Sequence, residues 1–401
     1  MKKFYMLLAV FLIMVITGCS SSGGESASPT PPSVPTGLTA IYSTGDINLA
    51  WAASSGGGLT GYNVYRSADY GQTFTKINTS LVTIVSYSDT APPNGMYYYK
   101  VTAVGDAESA GSNIAKNAIG TRLAASYGSN LDLSSGGPYV VDGSTTIDGY
   151  LSIEDGIELF VLDDATIDIL EEFTIYVSGL LRVEASNTHT ATFTSHKSGG
   201  GVPTTNTHGF ILEFDNTAVS YNAATNAGCI IQNTTLSYMH GSNYSIEIGA
   251  TAPKIYNSKI TVNATAGWGY VLLYPGCGAI IEHCSFTNAL LDFDGSMASS
   301  FKADYNIFRN GYFAIDFDDA DPTLISGQII NNDFDYNESG RRIDINSIPG
   351  SGTIPLDNNY WYYSGAINPA PAPVIFQTGT VWTANLSPVL SAAPTGVGPD
   401  W

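Results

Sequence analysis

A short pattern, apolar–X–apolar–Y, recurs along the second half of the chain. It reads Leu212-Glu-Phe-Asp215, Ile246-Glu-Ile-Gly249, Val271-Leu-Leu-Tyr274, Leu291-Asp-Phe-Asp294, Ile315-Asp-Phe-Asp318 and Ile343-Asp-Ile-Asn346. Alternation along a strand sends X and Y to the same face. X is acidic at Glu213, Glu247, Asp292, Asp316 and Asp344, with Asp215, Asp294 and Asp318 beside the column. If these strands stack in register, the carboxylates lie ~4.8 Å apart. Unit charges at that distance repel by roughly 1 kcal/mol in water and by more at lower dielectric. Such a column raises its own pKa values or recruits cations. Asp292, Asp294, Asp316 and Asp318 form two neighbouring pairs, a spacing suited to carboxylate bridging of Ca²⁺, which is therefore the one cofactor expected. Glu213, Glu247 and Asp344 extend the same face as the edge of a glycan or ion patch. The plainer alternative is a solvated acidic face that keeps the molecule soluble.

Other chemistry is sparse. The sequence has no Gly-x-Ser-x-Gly elbow, Walker loop, His-Glu-x-x-His or Cys-x-x-Cys. His189, His196 and His208 fall close together, but their spacing fits no common zinc pattern. With 35 acidic and 15 basic residues the formal net charge is −20, which repels phosphate backbones and excludes nucleic acid as a partner.

The elements that must carry the column are strands. Only 12% of the 401 residues are charged, while Gly numbers 42 and Tyr 25, so helices lack their usual surface residues and an all-β chain is predicted. A second repeat supports this: apolar, any, Asn-like, any, any, apolar. It occurs at Ile231/Asn233/Leu236, Ile255/Asn257/Ile260, Ile281/His283/Phe286, Ala303/Tyr305/Phe308, Ile329/Asn331/Phe334 and Leu356/Asn358/Trp361, at intervals of 22–27 residues. Asn tolerates left-handed bends and can stack in ladders, and this interval fits one turn of a parallel β-helix.

Upstream, Gly137-Pro-Tyr-Val-Val-Asp-Gly143, Leu151-Ser-Ile-Glu-Asp-Gly-Ile-Glu-Leu159, Gly179-Leu-Leu-Arg-Val183 and Ala191-Thr-Phe-Thr-Ser195 resemble the opening coils of bacterial right-handed β-helix proteins of the pectin-lyase-like group. Asn359-Tyr360-Trp361 is similar to the closing coil of that group. The resemblance implies about ten coils over residues 122–401 but no particular activity, because the fold hosts lyases, hydrolases, adhesins and spacers alike. Against the polygalacturonase motifs, Asp292-Phe-Asp294, Asp318-Asp319 and Arg341-Arg342-Ile343-Asp344 fall in a loosely similar order. The Gly-His-Gly element is missing and Arg-x-Lys is not matched. Pectate lyases use carboxylate-bound Ca²⁺ with an Arg or Lys base, and nothing singles out one of Arg309, Arg341 and Arg342.

Residues 36–121 read differently. Ile47, Leu49 and Trp51 alternate with polar or small residues, as do Tyr97, Tyr99, Val101 and Ala103, and turn clusters separate the runs. Pro35-x-x-Leu38-x-Ala40, Trp51, Tyr62-Asn-Val-Tyr-Arg66 and Tyr97-Tyr-Tyr-Lys-Val-Thr-Ala-Val104 resemble a fibronectin type III domain, with Trp51 as the core tryptophan and Tyr99 near the corner tyrosine. In bacterial proteins this domain implies a spacer or an accessory to a glycan-active partner.

At the N-terminus, Lys2 and Lys3 precede the apolar run Phe4–Ile16, which is too short for a membrane span and suits a signal-peptide core. Ile16-Thr17-Gly18-Cys19 looks like the lipobox of bacterial lipoproteins, which implies that residues 1–18 are a signal peptide and that Cys19 is acylated. Residues 19–35, rich in Ser, Pro and Gly, then form a flexible tether. Cys277 and Cys284 lie beyond disulfide reach on one strand, so Cys229, Cys277 and Cys284 are expected as small buried thiols. The expected protein is a lipid-anchored cell-envelope protein, placed by Ser20 at the outer membrane. Its partners are the membrane and a polysaccharide, in a non-catalytic glycan-binding, adhesive or structural role. A cell-attached polysaccharide lyase or glycoside hydrolase is the alternative.

Overall fold

The computed structural model describes residues 28–204, 208–241, 244–263, 269–294, 301–309, 315–318, 328–336, 343–346, 352–356, 358–363, 375–377, 382–385 and 398–399. Every named element is a β-strand. The first two sheets are antiparallel. One joins Thr36–Ser43, Asp46–Ala52 and Ser86–Asp89, and the other joins Thr75–Lys76, Gly61–Ser67, Gly95–Val104 and Ala115–Ile119. Their inner faces close on Leu38, Ile47, Leu49, Trp51, Tyr62, Val64, Tyr99 and Val101. This is a fibronectin type III-like sandwich, with Trp51 packed edge-on to Tyr62 at 5.3 Å between ring centroids. The corner bond belongs to Tyr97 rather than Tyr99. The Tyr97 hydroxyl donates to the Pro93 carbonyl at 2.7 Å, whereas the Tyr99 hydroxyl donates to Asp89 at 2.7 Å. Both rings point inward, and the four-residue reach back to a carbonyl, not ring burial, marks the corner.

From Thr121 onward the chain winds through three sheets in rotation until, after Ile330, a two-stranded sheet of Gly352–Pro355 and Trp382–Asn385 takes the place of one of them, and every neighbouring pair is parallel. The sheets run to ten, nine and ten strands. The ten-stranded sheet from Leu131–Leu133 to Ile375–Gln377 is the acidic sheet. The nine-stranded sheet, from Thr121–Arg122 to Ile329–Ile330, is the docking sheet. A third runs from Ser126–Tyr127 to Tyr360–Tyr363. The rung-to-rung repeat puts like residues above one another, so the interior is a continuous column of Ile, Leu, Val and Phe from Leu133 to Leu356. Phe286, Phe308 and Phe334 stack face to face along it, at 4.8 Å for each step.

The corner between docking and third sheets explains the Asn-like repeat. Asn233, Asn257, His283, Tyr305, Asn331 and Asn358 all have φ between 48° and 60°. The chain must turn there within one or two residues, and only the left-handed region allows it. Asn tolerates that region best after Gly. Where His283 and Tyr305 replace Asn, their rings stack at 5.1 Å. One residue further on, Asn306, Asn332 and Asn359 are fully buried and form a ladder. Asn306 Nδ2 donates to Asn332 Oδ1 at 3.0 Å, and Asn332 Nδ2 to Asn359 Oδ1 at 3.1 Å.

The sandwich does not stand off the coil. Met96, Tyr98 and Ala118 pack against Val140, Phe160, Leu162 and Leu180 on the outer face of the docking sheet. Arg182 is fully buried in this seam, bonded to Glu184 and to the Gly228 carbonyl, with its guanidinium 4.0 Å from the Tyr70 ring centre.

Candidate functional site

The acidic sheet holds the predicted column in register. Glu213 pairs with Glu247, Leu272 sits between Glu247 and Asp292, and Asp292 continues to Asp316 and then to Asp344. Asp294 is likewise level with Asp318. The side chains of Asp318 and Asp344 lie outside the described residues, as do Cys19, Asp319, Arg341 and Arg342. The strands of this sheet contribute Asp132, Glu213, Glu247, Asp292, Asp294, Asp316, Asp318 and Asp344, and among them there is no Lys, Arg or His. Among the described residues, several cations on the other two sheets are paired there: Arg122 with Asp142, Lys254 and Lys302 with Glu282, and Arg309 with Asp333.

The column is not uniform. Asp292 and Asp316 are buried, only 7% and 8% exposed, so the solvated-face reading does not hold for them. They alternate with the core residues Leu291, Phe293, Ile315 and Phe317 and are buried all the same. Glu213 and Glu247 instead open into a cleft of about 430 Å³ lined by Glu213, Asp215, Asn216, Glu247, Gly249 and Tyr274, among others. Gly249 leaves room for the Asn216 side chain, whose Oδ1 accepts from Ala250 N at 2.6 Å; a Cβ at Gly249 would meet that oxygen at 2.5 Å and displace it.

The cleft separates its carboxyls electrostatically. Burial, then the neighbouring charge of Asp215, pushes the Glu213 carboxyl up. Burial, then Glu213, pushes Glu247 up, partly offset by the Tyr274 hydroxyl, which donates to Glu247 Oε2 at 3.3 Å. Asp215 is held down despite its burial, because Ser178 Oγ, Thr217 N, Thr217 Oγ1 and Ala218 N all donate to it. Burial and Glu247 push the Tyr274 hydroxyl up to about 12.

Asn216 and Tyr176 were not singled out from sequence. Tyr176 could have been found, since Ile175-Tyr-Val177 extends the apolar–X–apolar pattern one coil upstream and Tyr176 is level with Glu213. Each of the three clustered histidines faces carboxylates: His189 meets Asp164, His196 meets Asp148 and Asp168, and His208 meets Glu172. Among the described residues no group of three or more His, Cys, Asp or Glu is placed to hold a metal ion. Cys229, Cys277 and Cys284 are free and buried, and burial pushes their thiols up to about 11, 12 and 12.

No family model matches the chain. Over 93 residues it is 36% identical to an amylopullulanase of Thermoanaerobacterium saccharolyticum, a match covering 23% of this chain and only 7% of that protein. Among solved structures, a fibronectin type III-like protein of Clostridium thermocellum is 35% identical over 22% of this chain and 92% of its own, with a TM-score of 0.20. Pectate lyase Pel3 of Pectobacterium carotovorum is 14% identical over 88% of this chain and 92% of its own, with a TM-score of 0.19. The fold stands on the sheets themselves: a fibronectin type III-like sandwich joined to a parallel β-helix.

Proposed function

We propose that this chain is a lipid-anchored cell-envelope protein that binds a polysaccharide on the acidic sheet without cleaving it. The observation that carries the reading is the cleft at Glu213, Asp215, Glu247 and Tyr274. Carboxylates accept hydrogen bonds from sugar hydroxyls, and a tyrosine offers both an apolar ring and a hydroxyl. The rod is a rigid support that presents such a groove without induced folding. Anchoring rests on the Cys19 motif, since two or three acyl chains hold a protein stably at a membrane where one does not. Cys19→Ala is expected to abolish acyl labelling in cells, and unchanged labelling would remove the anchor from this reading.

One observation favours the second reading, a polysaccharide lyase or hydrolase. Within a single cleft Glu213 and Glu247 are pushed up while Asp215 is held down. Pairs of carboxyls driven apart in this way suit an acid and a base. The purified mature protein, incubated with a polysaccharide panel with and without Ca²⁺, separates the two. Retention on a glycan with no new reducing ends or unsaturated uronides supports binding alone, and either product overturns it.

A further inference from the structure

The cleft has an aromatic neighbour. Tyr176 lies one coil from Glu213 and level with it on the acidic sheet, and it is 40% exposed. Its ring meets Tyr150 edge-on at 5.9 Å, and the Tyr150 hydroxyl donates to Asp132 at 3.3 Å, so the exposed ring is braced from the preceding coil. The interior rings of the coil, by contrast, stack on one another out of water. At ~4.8 Å per coil, Tyr176, Glu213 and Glu247 are level over ~10 Å on three successive coils, and Tyr274 stands on the fourth, two residues beyond Leu272, the residue level with Glu247. An aromatic stands at each end and carboxylates lie between.

Charge then selects the ligand. Glu213, Asp215 and Glu247 line the cleft, no cation does, and the strands on either side add only further acids. A sugar carboxylate laid along this line would face like charges at hydrogen-bond range, each costing about 1 kcal/mol in water and more in the cleft. A hydroxyl donates to those carboxylates instead, and an ammonium pairs with them.

We propose that Tyr176 is the stacking platform of a glycan site that continues through the cleft, and that the sugars it takes are uncharged or amino-bearing rather than uronic acids. This inference rests on the cleft being a glycan site. The mature protein is titrated calorimetrically, with a chelator present, against hexamers of glucose (β-1,4-linked), glucosamine and galacturonic acid. The glucose or glucosamine hexamer is expected to bind, with affinity falling about tenfold in Tyr176→Ala and less than twofold in Tyr176→Phe. An unchanged affinity in Tyr176→Ala overturns the platform. Binding of the galacturonate hexamer alone overturns the charge selection while leaving the cleft a glycan site. Binding of none of the hexamers, nor of any glycan in the polysaccharide panel, removes both readings. Circular dichroism and melting of each variant confirm that Tyr176, an exposed side chain, is changed without unfolding.

Discussion

The Tyr98 hydroxyl donates to the Glu184 carboxylate across the boundary between sandwich and coil. Tyr98 belongs to the longest strand of the sandwich and Glu184 to the fourth strand of the docking sheet, so this hydrogen bond, with the Lys116–Asp163 ion pair, links two modules that share no sheet. Arg182 completes the joint. Its charge is fully desolvated, and it is held by Glu184, the Gly228 carbonyl and the Tyr70 ring. Asn226 closes the remaining side by donating to Glu184 at 3.2 Å.

Removing one partner of a buried pair leaves the other charge stranded, which costs about 3–5 kcal/mol, whereas replacing both by apolar groups of similar volume is often neutral. Arg182→Ala is therefore expected to lower stability by about that amount and to split a single urea transition into separate sandwich and coil transitions. The triple variant Tyr98→Phe/Arg182→Met/Glu184→Leu, which also removes the hydroxyl that Glu184 accepts from, should restore most of the loss. A single, unshifted transition in Arg182→Ala would mean that the apolar seam of Phe160 and Leu180 and the remaining polar contacts hold the modules without Arg182.

The cleft makes a pH prediction. Glu213 and Glu247 sit above the ordinary glutamate value of 4.5, mainly through burial, so their ionisation works against folding. Stability from this pair is complete below pH 4.5 and declines as pH rises through their raised values. Asp215 has the opposite sign. It adds stability above its ordinary 3.8, lost as pH falls through its lowered value. Glu213→Gln and Glu247→Gln should each raise the melting temperature at pH 7 and leave it nearly unchanged at pH 4. A melting temperature at pH 7 equal to or below that of the wild type in both variants would contradict the assignment of burial as the cause.

The corner ladder is expected to be as sensitive as the core. Asn332 Nδ2 donates to the Ala303 carbonyl at 3.1 Å and to Asn359, while its Oδ1 accepts from both the backbone and the side chain of Asn306. Asn332→Leu keeps the volume and strands several buried polar groups, each costing about 1–3 kcal/mol. Urea denaturation should show a loss of at least 2 kcal/mol. A loss below 0.5 kcal/mol would mean that water or backbone shifts satisfy the ladder.

What the sequence disclosed follows from where its constraints are local. Asn257 and His283 occupy a bend that few residues tolerate, so their spacing exposed every coil from Asn233 to Asn358. The level pairing of Glu213 with Glu247 and of Asp292 with Asp316 was legible because alternation and a repeat of nearly constant length together set the register. Coverage is non-local and was not legible. Phe160 and Arg182 alternate outward like exposed residues, and only the docked sandwich and the loop at Gly228 bury them. The same limit hid the burial of Asp292 and Asp316.

That burial sharpens the expectation for Ca²⁺. Asp292 and Asp316 are in register on adjacent strands and nearly shielded from water, and their backbones are ~4.8 Å apart. Two ionised carboxylates so placed repel by roughly 1 kcal/mol in water and several times that at reduced dielectric. A hard divalent cation between them, which takes oxygen ligands at 2.3–2.6 Å, would relieve the repulsion. Level neighbours Asp294 and Asp318 put two more acidic positions beside the pair. If Ca²⁺ is the counter-ion, adding it at a hundredfold excess over its dissociation constant should stabilise the wild type by about 2.7 kcal/mol. Thermal melting would read this as a concentration-dependent rise, and Asp292→Asn/Asp316→Asn should abolish it. Equal Ca²⁺ responses in wild type and double variant, or no response in either, would rule out the cation at this pair.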